Sequence, residues 1–372
     1  MNPLRIIHTE PSSELGGEEL RILSEASGMA RRGHAVTLAV PADSRLKRYA
    51  EQRGLPVAPV TMTKRRYLPL VFEFLSLFQR YQTDVVNTHG SVDSWTAAIA
   101  GRLSRRKPAI VRTRHISVPV RAGFRHRLLY RGLPHAVVTT GAALRAELMR
   151  SLGIEASRIV SIPTGVDLTV FRPAPSLGPL KSELGLNPDQ IVVGTVAFMR
   201  RYKALDVLLS AAQLVLRQCP DARFLVVGDG PQYPKISQLV HDLGLKDRVL
   251  LTGFRPDVPQ LLALMDVFVL SSVRGEGLPQ ALTQAMAMER PVVATAVGSV
   301  SEVVRHEETG LLAVPGNQAH LAECIVKLIR EPATRSRLAR AGRELVEKEY
   351  NFEHMLDLTE ALYADLLRRE SK

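Results

Sequence analysis

Residues 271–296, SSVRGEGLPQALTQAMAMERPVVATA, decide the fold. Val267-Phe268-Val269-Leu270, just before them, and Pro291-Val292-Val293-Ala294-Thr295, at their end, are short apolar runs of the kind that form buried strands. Between the two, Ala281 to Met288 holds helix formers with no Gly or Pro. Pro279 stands near the first turn, where a missing N–H costs nothing. The stretch therefore reads strand, loop, helix, strand, the repeating unit of a parallel sheet. Ligands of such sheets bind beyond the carboxyl ends of the strands. A helix N-terminus there offers N–H groups and a partial positive charge to an anion. Glu276 and Gly277 lie in that loop, and Gln284, eight residues beyond Glu276, falls about two turns into the helix. A carboxylate there suits sugar hydroxyls, and an amide can both donate to and accept from a ribose. Taken alone, each reads more simply as a surface residue.

The second half of the chain repeats the pattern. Ile191 to Val196 is a strand, and its loop, Phe198-Met199-Arg200-Arg201-Tyr202-Lys203, leads to a helix beginning near Leu205. Arg200 and Lys203 stand where a diphosphate would meet a helix start, and charge-assisted hydrogen bonds of that type contribute about 1.5–3 kcal/mol each. Exposed basic residues are the plainer alternative. Phe224 to Val227 runs into Gly228-Asp229-Gly230, and Val249 to Arg255 is a further strand with Arg255 at its end. Thr309-Gly310-Leu311-Leu312 reads as a turn, and Glu353 to Arg369 as a final helix.

The first half alternates likewise, with strands at Leu4–His8, Ala35–Val40, Val57–Val60, Asp84–Thr88, Ala109–Arg112, Ala136–Thr139 and Ile159–Ile162. The clearest helices run from Glu18 to Arg32 and from Val92 to Leu103. Gly16 and Gly17 open the first of these, and a diglycine lets a backbone approach a ligand closely. It is not a dinucleotide fingerprint, because the third glycine is missing. His89 and His115 each end a strand, which places both at the crevice. Pro173-Ala174-Pro175-Ser176 and Gly178-Pro179 form a linker.

Composition sets the outer bounds. At 372 residues and 45% hydrophobic content the chain can bury two cores. Two cysteines, Cys219 and Cys324, fit a reducing compartment and no disulfide framework. Leu4 to Thr9 is too short for the apolar core of a signal peptide, so a cytoplasmic location is expected. Residues 1–170 hold 25 Lys and Arg against 13 Asp and Glu, so the whole net charge of +12 sits in the first half. That asymmetry points to an anionic partner. Lys64-Arg65-Arg66 precedes an apolar helical stretch from Leu68 to Phe78, and Arg121, Arg125, Arg127 and Arg131 are interleaved with Val118, Phe124 and Leu128. Either segment can lie in a lipid interface or pack as an ordinary helix with a solvated face. Nucleic acid is disfavoured, since aromatics are only 5% and no binding motif is present.

The order and spacing of these motifs resemble the family-4 retaining glycosyltransferases. The organising stretch carries that family's acid, seven residues, a second polar position, then Ala285-Met286-Ala287 and Pro291-Val292-Val293-Ala294-Thr295. The resemblance implies a GT-B architecture, two Rossmann-like doubly wound α/β domains facing a cleft. An acceptor domain would span 1–172, with the last helix, 353–372, packing back on it, and a nucleotide-sugar domain would span 180–352. It implies His115 and Glu276 as catalytic residues. Gly16, Gly17, Arg200, Lys203, Arg255, Gly277, Leu278 and Gln284 would bind the donor. Gln284 departs from the family's second acid, Phe198 stands where an Arg is commonest, and Thr164 replaces a common Asn. The implied reaction moves a sugar from a nucleotide-diphosphate donor to a lipid-linked or saccharide acceptor, without a metal, for surface polysaccharide or lipopolysaccharide assembly. The site would be the inner face of a bacterial membrane, with an anionic surface as partner. An epimerase or hydrolase of the same fold, and a non-catalytic nucleotide-binding scaffold, are the alternatives.

Overall fold

A computed structural model describes residues 2–115, 120, 122–173 and 178–370. The readings placed on Val118, Arg121 and the linker residues Ala174, Pro175 and Ser176 lie outside that set. The chain forms two compact units, dividing after Thr164 and again after His354.

The first unit holds seven parallel strands: β1 Arg5–Thr9, β2 Ala35–Val40, β3 Val57–Pro59, β4 Val85–Thr88, β5 Ala109–Arg114, β6 Ala136–Thr139 and β7 Ile159–Ser161. Their order is β3-β2-β1-β4-β5-β6-β7. The second holds β8 Val192–Val196, β9 Arg223–Val227, β10 Val249–Gly253, β11 Val267–Leu270, β12 Val292–Thr295 and β13 Leu311–Ala313, all parallel, in the order β10-β9-β8-β11-β12-β13. Each sheet reverses its winding once, between β1 and β4 and between β8 and β11. Those are the switch points beside which such sheets hold ligands.

The strands are buried on both faces, as parallel sheets require; β11 and β12 have no exposed residue. The helix Gln280–Ala287 seals one face by burying Leu282, Ala285 and Met286 against the core that contains Phe268 and Leu270. Each large apolar side chain so buried contributes about 1.5–3 kcal/mol. In the first unit, Ile7 and Val86 pack with Phe74 and Phe78 from the helix Tyr67–Arg80.

Two boundaries differ from the sequence reading. Leu311–Ala313 is an edge strand, not a turn, paired with β12 along its length. Residues 165–171 belong with the second unit, because Val166 bridges Asn351 while Leu168 and Phe171 pack on that unit's core. The last helix, Phe352–Glu370, places Glu360 2.6 Å from Arg32 and Tyr363 3.0 Å from Asn87 within the first unit.

Candidate functional site

In the second unit the loops after β8 and β11 meet at the switch point. The Ser271 hydroxyl donates to the Lys203 carbonyl at 2.9 Å, and the Val273 N–H donates to the Tyr202 carbonyl at 2.9 Å. This stitching brings Lys203 Nζ to 2.6 Å from Glu276 Oε1. The Ser272 hydroxyl donates to the same oxygen, and the Thr295 hydroxyl holds the Ser272 carbonyl. The pair is largely shielded, with side chains 15% and 7% exposed, so its charges act with little screening.

The loop after β9 packs directly on the loop after β8. Gly228 and Gly230 have φ of +125° and +137°, and a Cβ at either would strike the backbone of Ala197 or Met199. Only glycine allows this approach. It lets the Met199 N–H donate to the Asp229 carbonyl at 2.6 Å. The result is a pocket lined by Arg200, Arg201, Gln232 and Lys235, with Asp206 the acid among them. Arg200 also lies 5.2 Å from the Phe198 ring centroid, a cation–π distance.

The first unit builds a different site. His89 Nδ1 lies 2.9 Å from His115 Nε2, and His89 Nε2 lies 3.1 Å from Nδ1 of His8. Burial, with the neighbouring cations Arg21 and Arg112, pushes both His89 and His115 well below the ordinary imidazole value, so both are neutral at neutral pH. Beside them, Asp93 accepts from the Thr9 hydroxyl at 2.6 Å and from the N–H groups of His89 and Gly90. Burial, with Glu18 and Asp93 nearby, pushes the Glu10 carboxyl up to about 10, and burial with Glu19 pushes Glu18 up to about 8. Gly16 caps the helix Gly17–Arg31, and its N–H is taken by Glu19 at 2.7 Å.

Lys203, Glu276 and Gly277 thus lie together, and His89 and His115 touch. The surroundings of the other expected donor contacts differ. Gly16 and Gly17 open a helix whose first turn carries Glu18 and Glu19. Arg255 is gripped by both oxygens of Asp257, at 2.7 and 2.6 Å, and by Glu183 at 2.8 Å, so its charge is already balanced. The Leu278 side chain packs in the apolar core and leaves only its backbone to a ligand. Gln284 sits just over one turn into its helix, which begins at Gln280. Sequence reasoning missed His8, Arg201 and Lys235. A histidine inside the apolar run Arg5–Thr9 was the available signal for the first.

Among the described residues no helix is long and apolar enough to cross a membrane. A Glycosyltransferase Family 4 model matches residues 15–170, and a Glycosyl transferases group 1 model matches residues 189–331. The chain is 33% identical over 190 residues to N-acetyl-alpha-D-glucosaminyl L-malate synthase of Bacillus anthracis, covering 51% of this chain and about half (49%) of that relative. It is 28% identical over 385 residues to 2-deoxystreptamine glucosyltransferase of Streptomyces kanamyceticus, covering 94% and 98%. It is 27% identical over 327 residues to the UDP-Gal:alpha-D-GlcNAc-diphosphoundecaprenol alpha-1,3-galactosyltransferase of Escherichia coli, covering 81% and 82%. The fold matches that of Anabaena HepE in complex with UDP-glucose, with a TM-score of 0.84 at 24% identity over 96% of this chain and 99% of that one. With one model on each unit and the fold matched over nearly the whole chain, the chain belongs to the family-4, group 1 glycosyltransferases of GT-B fold.

Proposed function

We propose that the protein transfers a sugar, with retention of configuration, from a nucleoside-diphosphate sugar to a lipid-linked or glycan acceptor in bacterial surface-glycan or lipopolysaccharide assembly. The second unit takes the donor and the first the acceptor. The Lys203–Glu276 pair carries this reading, because it sets one cation and one carboxylate at the switch point, beside a pocket rich in Arg and Lys. The cation suits a diphosphate, and the carboxylate accepts from sugar hydroxyls. As the bond from the anomeric carbon to the diphosphate breaks, the leaving group gains negative charge. Fixed cations stabilise it without reorganising. The departing phosphate oxygen then takes the proton of the attacking hydroxyl on the same face of the sugar. The donor is held without a metal.

The acceptor assignment rests on the first unit's surface. The helix Tyr67–Arg80 buries Leu70, Phe74 and Phe78 but leaves Leu68 68% and Phe72 64% exposed, directly after the exposed turn Lys64–Arg66. Phe124, 81% exposed, is followed by Arg125 and Arg127. Both segments follow strand ends, β3 and β5, and so leave the sheet on the same edge as His89 and His115. Near an anionic bilayer each basic residue adds about 1 kcal/mol, and the apolar side chains add a salt-resistant term. The relative that acts on a diphosphoundecaprenol-linked sugar supports a lipid-linked acceptor.

A transfer assay tests the reading. UDP-, GDP- and ADP-sugars are offered with a polyprenyl-diphosphate saccharide in anionic vesicles, and the anomeric proton of the product is read by NMR. Transfer with the donor's configuration is expected. An inverted product overturns retention. Release of free sugar or of an epimer without acceptor points to a hydrolase or epimerase, and nucleotide binding without turnover points to a scaffold.

A further inference from the structure

His8 lies in β1, an interior strand of the first sheet, where the side chains of Ile6, Ile7 and Thr9 are also buried. Its Nδ1 meets His89 Nε2 at 3.1 Å, and His89 Nδ1 meets His115 Nε2 at 2.9 Å, so three imidazoles form one row. At the inner end, His8 Nε2 lies 3.9 Å from Glu25 Oε1 and has no hydrogen-bond partner. Glu25 is itself paired with Arg21 at 3.5 Å and receives the Tyr363 hydroxyl at 3.4 Å.

A neutral imidazole has one N–H and one lone pair. Each bond in the row uses one of each, so the three tautomers are locked together. In one state the proton of His8 is on Nε2, toward Glu25. His8 Nδ1 then accepts from His89 Nε2, His89 Nδ1 accepts from His115 Nε2, and Nδ1 of His115 carries no proton. In the reverse state every proton sits on Nδ1, and His8 turns a lone pair toward the Glu25 carboxylate. The charge on Glu25 opposes the reverse state. All three rings are held neutral, His8 chiefly by burial, with Arg21 adding to it and Glu25 opposing. His89 is held by burial and then by its histidine neighbours, Arg21 and Arg112, and His115 by burial and then by Arg21, Arg114 and Arg112. Glu18 Oε1 is 4.0 Å from His115 Nε2 and, once ionised above about pH 8, favours the same state.

We propose that Glu25, acting through His8 and His89, fixes the tautomer of His115, so that His115 offers Nδ1 to its ligand as a hydrogen-bond acceptor only. That deepens the reading of His115 as a substrate contact and rests on it. An acceptor-only nitrogen takes a hydroxyl, which can donate, and turns away a phosphate oxygen, which cannot. His115 therefore recognises a sugar hydroxyl, and Glu25 and His8 are positioning residues.

The test is two-bond 15N–1H NMR of the full chain labelled with 15N-histidine, at pH 6.5, below the titration of Glu18. The wild type should show His115 protonated on Nε2. Glu25→Gln offers His8 an amide donor in place of the carboxylate and should convert His115 wholly or partly to the Nδ1-protonated form. Should Glu25→Gln fail to fold, because Arg21 loses its partner, His8→Leu cuts the row and should give His115 a mixture of tautomers. Nδ1 protonation in the wild type, or an unchanged His115 pattern in the folded variant, overturns the proposal. Turnover of His115→Ala is a separate arm. If it matches the wild type, the substrate reading of His115 fails, whatever tautomer the spectra show.

Discussion

Glu276→Gln keeps the shape of the side chain and removes its charge. In the structure the Glu276 carboxylate already occupies Lys203, at 2.6 Å in a site where neither side chain is more than 15% exposed. At an effective dielectric of 20 two unit charges that close attract by about 6 kcal/mol before their desolvation is counted. The net value of such a charge-assisted bond is about 1.5–3 kcal/mol. A diphosphate entering the site must draw on the same ammonium, so the carboxylate opposes it. Glutamine relieves that opposition and can still accept from Ser272. Affinity for the free nucleoside diphosphate should therefore hold or rise, by up to about tenfold for the lower figure. Turnover should fall, because the contact to the sugar loses its charge in the transition state. Losing one fixed electrostatic partner costs about 2.7–4 kcal/mol, or roughly 100- to 1000-fold in kcat. Isothermal titration with the nucleoside diphosphate, beside initial rates at saturating donor, separates the two effects. A parallel loss of affinity and turnover would show that Glu276 holds the nucleotide, and the division of roles would be wrong.

Three further outcomes are expected. Gln284→Ala should weaken nucleoside diphosphate binding by about 1 kcal/mol, the worth of one neutral hydrogen bond, with kcat at saturation little changed; equal affinity in titration removes Gln284 from the ribose. Sedimentation with anionic vesicles should bind the protein, less so at high salt and less again when Lys64, Arg65 and Arg66 are changed together to Ser; equally poor binding to neutral and anionic vesicles favours a soluble acceptor. The melting temperature should fall from about pH 7 towards pH 8, because the Glu10 and Glu18 carboxyls, raised to about 10 and about 8, keep protons in the fold that the unfolded chain has released, whereas below about pH 7 the histidines held neutral in the fold act in the opposite direction. Glu10→Gln should flatten that limb, and a melting temperature equally steep in the variant assigns it elsewhere.

The fold was legible because parallel strands buried on both faces read as unbroken apolar runs, as at Val267–Leu270 and Val292–Thr295. Leu311–Ala313 escaped because three residues carry too little pattern to separate a strand from a turn. Strand ends fixed where His89, His115, Lys203 and Glu276 would stand. They could not say what each would touch. Lys203 meets a residue 73 positions away, and Arg255 spends its charge on Glu183, 72 positions away. His8 was hidden for a related reason: its partners, Glu25 and His89, come from a helix and a neighbouring strand that no local spacing links to it.

Titration calorimetry with a panel of nucleoside diphosphates, on the wild type and on Lys203→Ala, tests the central claim most directly. The account predicts that at least one of UDP, GDP and ADP binds with one site per chain. Lys203→Ala, still folded by circular dichroism, should weaken that binding by about 1.5–3 kcal/mol, roughly ten- to 150-fold. If no nucleoside diphosphate binds, or if the folded variant binds as tightly as the wild type, the switch point of the second unit is not the donor site.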